Sequence, residues 1–408
     1  MVEITPQANR IHIGFFGSTN AGKSTLINLL ASQSVSLVSD VAGTTTDPVS
    51  KSMEILPLGP VVIIDTAGID DKTELGQLRI AKTREVIPKV NLGVYVLRSD
   101  RDPSPEDMAW LKILETAKLP TALIINEVAG GLSGQEYLQK HPNLTGLVTA
   151  LGYDDFSQGH KRLELLDLLG GLKPVGAETG RSLLDGLVKE NQTIVLVCPI
   201  DSAAPKGRLI LPQVQMLRNI LDCHAMAHVV QVEQLDPLIK ALKDKPDLVI
   251  TDSQAFDQVN TILPEDIPLT SFSILMARFK GRLKDLIAGV DAIKHLKPGS
   301  RVLISEGCTH RRQCDDIGTV KIPMWLKKNG YEGLQLEWTS GGAFPQDLSK
   351  YDLIVHCGAC MLTRREVLRR LDVSIVQGVP MVNYGVLIAS LHGILERAIS
   401  PFKNELGN

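Results

Sequence analysis

Aromatic residues make up only 4% of this 408-residue chain, which leaves little material for a base-stacking nucleic-acid surface. Charge of one sign is missing too. Lysine and arginine (43) nearly balance aspartate and glutamate (46), and a net charge of -3 gives no general drive toward nucleic acid or an anionic membrane. No stretch offers about 20 uninterrupted apolar residues; the best, Val379 to Leu395, contains Asn383, Tyr384 and His392. The first residues, Met-Val-Glu-Ile-Thr-Pro, lack the basic flank and apolar core of a secretory signal, so a soluble, cytoplasmic protein without membrane or nucleic-acid partners is expected. Six cysteines are too few for a disulfide scaffold in a chain of this length. Two of them, Cys198 and Cys223, read as small core residues. What remains is ordinary globular composition, 44% hydrophobic and 22% charged, at a length that suits several domains.

The first motif is contiguous. Arg10 to Phe16 reads as a buried strand and Lys23 to Leu30 as a helix, and Gly17-Ser18-Thr19-Asn20-Ala21-Gly22-Lys23-Ser24 between them fits G-x-x-x-x-G-K-S. Such a loop turns backbone N–H groups inward around phosphates, its lysine reaches the β/γ oxygens, and its serine ligates Mg²⁺. Thr25 follows on the helix and completes the nucleotide-binding run. A second apolar strand, Val61 to Asp65, ends in Asp65-Thr66-Ala67-Gly68, where Asp65 suits the Mg²⁺ water shell and the Gly68 N–H a γ-phosphate. Between the two motifs, Gly43-Thr44-Thr45-Thr46-Asp47 offers hydroxyls where a switch threonine belongs.

This set resembles the translation-factor-type GTPases, in the branch of tRNA-modification and ribosome-assembly GTPases that share Gly-Thr-Thr. The resemblance implies GTP as substrate, Lys23, Thr45, Asp65 and Gly68 as catalytic residues, and Ser24 with Thr45 as Mg²⁺ ligands. Asn20 matches the P-loop asparagine of potassium-dependent members and would help to hold K⁺. Ile69, not a glutamine, follows Asp-Thr-Ala-Gly, so hydrolysis should be slow, with K⁺ supplying positive charge. The base-recognition motif Asn-Lys-x-Asp is altered to Asn126-Glu127-Val128-Ala129. It keeps Asn126 but loses the carboxylate that reads the guanine edge, and Thr149-Ala150 resembles the short loop that supports the base.

Past a helix at Lys161 to Leu169, the glycine-rich run from Gly170 to Gly180 reads as a linker. The middle segment alternates strands and helices: strands Thr193–Cys198, His228–Val232 and Leu248–Thr251, and helices Leu211–Cys223 and Leu235–Lys243. It carries no phosphate loop or catalytic triad, and suits subunit pairing. Lys206 and Arg208 read as a basic loop, and His224 with His228 as a spacing without a third metal ligand.

The C-terminal segment carries the second constellation. A helix is expected from Ile274 to Ala292. The strand Arg301–Ser305 is followed by Glu306-Gly-Cys308-Thr-His310, and the strand Tyr351–Val355 by His356-Cys357-Gly-Ala-Cys360. In open α/β sheets ligands gather beyond the carboxyl ends of strands, so the two clusters should converge in one crevice. Cys-x-His, 45 residues, then His-Cys-x-x-Cys is a metal pattern. Its chemistry fits a [4Fe-4S] cluster with one replaceable ligand, or structural zinc. Cys314 reads as packing or a spare ligand, and Arg311 with Arg312 as a solvated pair or an attractor for anionic cargo.

Taken together, the motifs Glu306-Gly-Cys-Thr-His, Cys314 to Pro323 and Val355-His-Cys-Gly-Ala-Cys360 resemble the [FeFe]-hydrogenase maturation GTPases. The resemblance implies a [4Fe-4S] cluster on Cys308, Cys357 and Cys360, with His310, His356, Glu306 or water at the fourth iron. It also implies a scaffold that receives a diiron precursor from two radical-SAM maturases and delivers it to apo-[FeFe]-hydrogenase, acting as a homodimer. The expected architecture is α/β: a P-loop GTPase domain (1–172), a middle α/β domain for dimerisation (181–270), and a cluster domain (271–408) whose parallel sheet carries the metal site. The competing reading is a regulatory GTPase of the ribosome or tRNA-modification type with structural zinc. An iron–sulfur redox enzyme ranks below both, because no flavin or dinucleotide fingerprint is present.

Overall fold

The computed structural model describes residues 10–31, 40–41, 49–55, 58–70, 73–144, 149–153, 159–172, 174, 182–200, 209–307 and 316–407. Thr44, Thr45, Lys206, Arg208, Cys308, His310, Arg311, Arg312 and Cys314 lie outside the described residues, as do the side chains of Thr149 and Ala150. The chain forms two compact units, Met1–Ala177 and Glu178–Asn408.

The first unit is built on a seven-stranded sheet of β1 (Ile11–Phe16), β2 (Asp40–Val41), β3 (Val49–Ile55), β4 (Gly59–Asp65), β5 (Leu92–Arg98), β6 (Thr121–Asn126) and β7 (Thr149–Tyr153). Their order is β2-β3-β4-β1-β5-β6-β7. Only the β2–β3 and β3–β4 pairs are antiparallel. The parallel strands are near-continuous apolar runs because both of their faces are covered. Alternation sorts the side chains. Ile13, Phe15, Val94 and Val96 join Leu26 and Leu30 of the helix Lys23–Ala31 on one face. Phe16, Tyr95 and Leu97 join Trp110 and Leu114 of the helix Pro105–Thr116 on the other. The phosphate-loop motif therefore sits at the carboxyl end of a central strand, where an open α/β sheet presents its ligand crevice.

The second unit holds two parallel four-stranded sheets. The first contains β8 (Thr193–Val197), β9 (Met226–Val230), β10 (Leu248–Thr251) and β11 (Leu269–Ser271), in the order β11-β10-β8-β9. The second contains β12 (Arg301–Ser305), β13 (Gln335–Thr339), β14 (Leu353–His356) and β15 (Met381–Asn383), in the order β13-β12-β14-β15. One continuous core joins them, from Val195 and Phe256 through Leu275 to Ile304, Val355 and Leu387. Cys198 lies in that core and Cys223 packs against it, as expected.

One sequence expectation changes here. The helix read from Ile274 to Ala292 is three pieces, Phe272–Lys280, Leu283–Ala288 and Val290–Ile293. Gly281 ends the first piece in an extended conformation, although the apolar spacing continues past it. The helix Leu211–Asp222 stops short of both histidines, in keeping with the reading of their spacing: His224 has a left-handed backbone (φ 53°), and His228 lies in β9. The apolar stretch from Val379 is β15 plus the buried helix Tyr384–Leu391, and no helix among the described residues is long and apolar enough to cross a membrane.

Candidate functional site

The phosphate loop leaves β1 at Gly17, whose φ of 139° and close approach to the Val96 carbonyl (2.5 Å from where a Cβ would stand) admit only glycine. The buried Lys23 folds over the loop, its Nζ donating to the carbonyls of Gly17 (2.8 Å) and Ser18 (2.9 Å). Burial pulls its pKa down, against the opposing pull of Asp65, Asp70 and Asp107. Ser24 Oγ donates to Asp65 Oδ2 at 3.0 Å, so the two expected Mg²⁺-side groups already face each other. Burial raises the Asp65 pKa, opposed by the Ser24 hydrogen bond and by Lys23 and Lys51. Asn126 Nδ2 donates to the Ala21 carbonyl at 2.9 Å, tying the first residue of the base motif to the phosphate loop.

Two carboxylates that the motifs do not name shape this loop. Asp107 is 1% exposed and accepts from Ser18 Oγ (2.8 Å) and Tyr95 Oη (2.9 Å) while closing the capping box of the helix Pro105–Thr116 with Ser104. Asp70 Oδ1 accepts from both the backbone N–H (2.6 Å) and the hydroxyl (2.7 Å) of Thr19. Burial alone would push the Asp70 carboxyl up, but the Thr19 hydrogen bonds outweigh it and hold the group below its usual range. Gly68 lies against Thr19 so closely that a Cβ would stand 2.1 Å from Thr19 Oγ1. Ile69 points into the core at 3% exposure, so it presents nothing to a water molecule.

In the second unit, β12 and β14 are parallel neighbours with Ser305 opposite His356, so Glu306 and Cys357 leave the sheet side by side. The Gly307 N–H donates to Cys357 Sγ at 3.0 Å, and the Ala359 N–H, from a left-handed residue (φ 56°), donates to the same sulfur at 3.3 Å. Burial pushes the Cys357 thiol up to about 11, with Cys360 adding to the rise, and burial also raises Cys360. Two N–H groups aimed at one sulfur suit a thiolate held by metal, whose charge they stabilise. The donor set therefore fits a metal–thiolate centre. Among the described residues no three metal-ligating side chains come together, Cys308 and His310 lying outside them.

Beneath the Cys-x-x-Cys turn lies a fully buried lysine that sequence reasoning missed. Lys280 Nζ, at the end of the helix Phe272–Lys280, donates to the carbonyls of Leu362 (2.6 Å), Cys360 (3.2 Å) and Ala359 (3.3 Å). His356 is buried with both ring nitrogens engaged: Nδ1–H donates to the Cys357 carbonyl (2.9 Å), and Nε2 accepts from Arg370 Nη1 (3.3 Å). Burial first, then Arg370, lowers its pKa to about 4, so the ring is neutral. Arg370 is itself buried, paired with Glu366 at 2.8 Å and bonded to the Gly341 carbonyl at 2.7 Å. Glu306 is also buried, and its Oε1 accepts from Tyr384 Oη at 3.3 Å.

Three family models tile the chain: the 50S ribosome-binding GTPase model over residues 12–127, the hydrogen maturase F dimerization domain over 183–281, and the hydrogen maturase F tetramerization domain over 284–401. The chain belongs to the hydrogen maturase F family. Its first unit is a P-loop GTPase domain, followed by further α/β structure with parallel sheets. Similar curated proteins match this GTPase region. The tRNA modification GTPase MnmE of Endomicrobium trichonymphae is 34% identical over 124 residues, 29% of this chain and 26% of that protein. GTPase Der of Campylobacter concisus is 35% identical over 112 residues, 28% of this chain and 24% of that one. The hydrogen maturase F chain thus spans about a quarter of the length of these relatives. Among solved structures, Aquifex aeolicus Era bound to GDP and AlF4⁻ matches at 18% identity and a TM-score of 0.32, covering 57% of this chain and 98% of that one. The G domain of T. maritima FeoB matches at 17% identity and a TM-score of 0.28, covering 38% and 96%.

Proposed function

We propose that this hydrogen maturase F chain is a GTP-hydrolysing scaffold that carries a [4Fe-4S] cluster and passes a diiron precursor to apo-[FeFe]-hydrogenase. The observation that carries the reading is the Gly307–Cys357 hydrogen bond, which joins the residues just past β12 to the Cys-x-x-Cys turn at the mouth of one parallel sheet. Cys308, Cys357 and Cys360 would hold the cluster, and the group supplies an iron with an exchangeable ligand to which cargo attaches. His356 has both ring nitrogens occupied, which favours Glu306, His310 or water at the fourth iron. Lys280 places a buried positive charge under the thiolates and holds the turn by three carbonyls.

At the nucleotide, Lys23 would exchange the Gly17 and Ser18 carbonyls for β/γ oxygens, and Ser24, Thr45 and Asp65 would hold Mg²⁺, which supplies charge neutralisation at the phosphates. The Asp70–Thr19 contact must open when a γ-phosphate arrives beside it, since both groups are anionic. That exchange couples the Asp65-Thr-Ala-Gly68 loop to nucleotide state. With Ile69 buried, its side chain orients no water, and Asn20 would hold a K⁺ whose charge assists a slow reaction. Self-association is supported by β9, the edge strand of its sheet among the described residues, where Met226 (52%) and Val229 (41%) are exposed. The two radical-SAM maturases are the expected donors of the cargo.

The test is delivery. Anaerobically prepared chain, loaded by co-expression with both maturases, should activate purified apo-[FeFe]-hydrogenase, and chain carrying Cys357→Ser should not. Activation by the maturases alone, with this chain omitted, would overturn the reading.

A further inference from the structure

The base-recognition motif of the first unit has lost its lysine along with its aspartate: Glu127 stands where the lysine belongs. Glu127 instead caps another element, its Oε1 accepting from the Gly134 N–H at the start of the helix Gly134–Lys140. A cation nevertheless reaches the phosphate loop from the neighbouring strand. Arg98, the last residue of β5, pairs in register with Asn126, the last residue of β6. Its Nη1 donates to the Asn20 carbonyl at 3.2 Å, while Asn126 Nδ2 donates to the next carbonyl, that of Ala21. Two adjacent strand ends thus clamp two consecutive carbonyls of the loop.

The guanidinium is held in place and remains accessible. Asp100 grips it in a two-point pair, Nε to Oδ1 at 3.0 Å and Nη2 to Oδ2 at 2.6 Å, and the Arg98 side chain is 29% exposed. The segment that carries the altered motif packs on the same turn: the Val128 N–H donates to Ser99 Oγ (3.2 Å) and the Leu132 N–H to the Ser99 carbonyl (3.2 Å). Arg98, Asn126 and the Ala129 segment therefore form one wall.

We infer that Arg98 takes over the role of the missing lysine, bracing the phosphate loop and presenting the basic, planar side chain against which the nucleobase rests. A planar guanidinium can hydrogen-bond a carbonyl at its edge and stack on a ring with its face, which an ammonium cannot do. With no carboxylate at 129, the site relies on this contact more than an intact motif would. Arg98 is a specificity and positioning residue, and the inference rests on the GTP reading of the unit.

The test is a charge-relocation cycle on the full chain, with Kd for GTP measured by titration of a fluorescent GTP analogue. Arg98→Ala should weaken binding about tenfold or more, as loss of a charge-assisted contact does, and Arg98→Lys should recover part of it. Adding Glu127→Lys to Arg98→Ala returns the cation to its motif position and should restore most of the affinity. Asp100→Asn, which breaks only the ion pair, should change Kd less than threefold. Arg98→Ala within twofold of the parent would overturn the inference. So would a loss that neither Arg98→Lys nor Glu127→Lys relieves, which would make Arg98 a structural partner of Asp100. If the parent chain binds no GTP analogue, the GTP reading itself fails, which is a distinguishable result.

Discussion

The Gly307 N–H and the Cys357 sulfur are 50 positions apart in sequence and 3.0 Å apart in space. The contact exists because β12 and β14 run parallel with Ser305 opposite His356, so the next residues of each strand emerge together. A thiol is a weak acceptor, and a thiolate bound to metal is a good one. Cys357→Ser and Cys360→Ser should therefore each remove most of the iron from anaerobically purified chain. His356→Gln should keep it, because His356 engages the Cys357 carbonyl and Arg370 with its two nitrogens; the cost would be about 1–3 kcal/mol of stability from the disturbed buried contact. Iron analysis and thermal unfolding on the same samples check both halves.

Lys280→Met keeps the length of the side chain and removes the charge. The carbonyls of Ala359, Cys360 and Leu362 lose the lysine as a donor, and the thiolates lose a buried counter-charge. Reduction adds negative charge to the centre, so the variant should be reduced only at a more negative potential. At an effective dielectric of about 20 and a separation of several Å, the effect is on the order of 50–100 mV. A redox titration followed by electron-spin resonance reads it; an unchanged potential would leave Lys280 with only the turn to hold.

The nucleotide and metal motifs lie in separate units with separate cores. Lys23→Ala or Ser24→Ala should abolish GTP hydrolysis and leave the visible absorption of the iron centre intact. In the parent chain, turnover should rise in K⁺ over Na⁺ at equal ionic strength, because Na⁺ is too small to bridge Asn20, the loop and the phosphates. A phosphate-release assay and an absorption spectrum settle both points.

His12, on β1, donates from Nδ1 to the Arg10 carbonyl (3.0 Å), and its pKa is lowered from 6.5 to about 4, chiefly by burial. A histidine whose folded pKa is depressed takes up its proton more readily unfolded. Stability should thus be lost as pH falls from about 6.5 toward 4 and level off below, where both states are protonated. His12→Gln should flatten that slope relative to the parent chain in thermal melts across this range. Parallel melting curves for the two chains would contradict the assignment.

Much of the architecture was legible because its signals are contiguous. The P-loop is one unbroken motif between a strand and a helix, and β10 appears at the residues where an apolar run predicts it, Leu248–Thr251. The parallel neighbours β12 and β14, with Ser305 opposite His356, lie where the two apolar runs predict strands. What stayed hidden depends on distant partners. Asp107 reaches Ser18 across 89 positions and Lys280 reaches Leu362 across 82, and neither has a local pattern to mark it. β11 and β15 are three residues each, too short for alternation to show. The break at Gly281 was masked because the residues after it continue the helical spacing of the residues before it.

The central claim is that the C-terminal site holds iron and sulfide. Metal and acid-labile sulfide analysis of the full chain, purified anaerobically from iron-replete cells, tests it most directly. A [4Fe-4S] centre gives brown protein with about four iron and four sulfide per chain, strongly depleted by Cys357→Ser. Colourless protein with about one zinc per chain and no sulfide would contradict the account, whatever its GTPase activity.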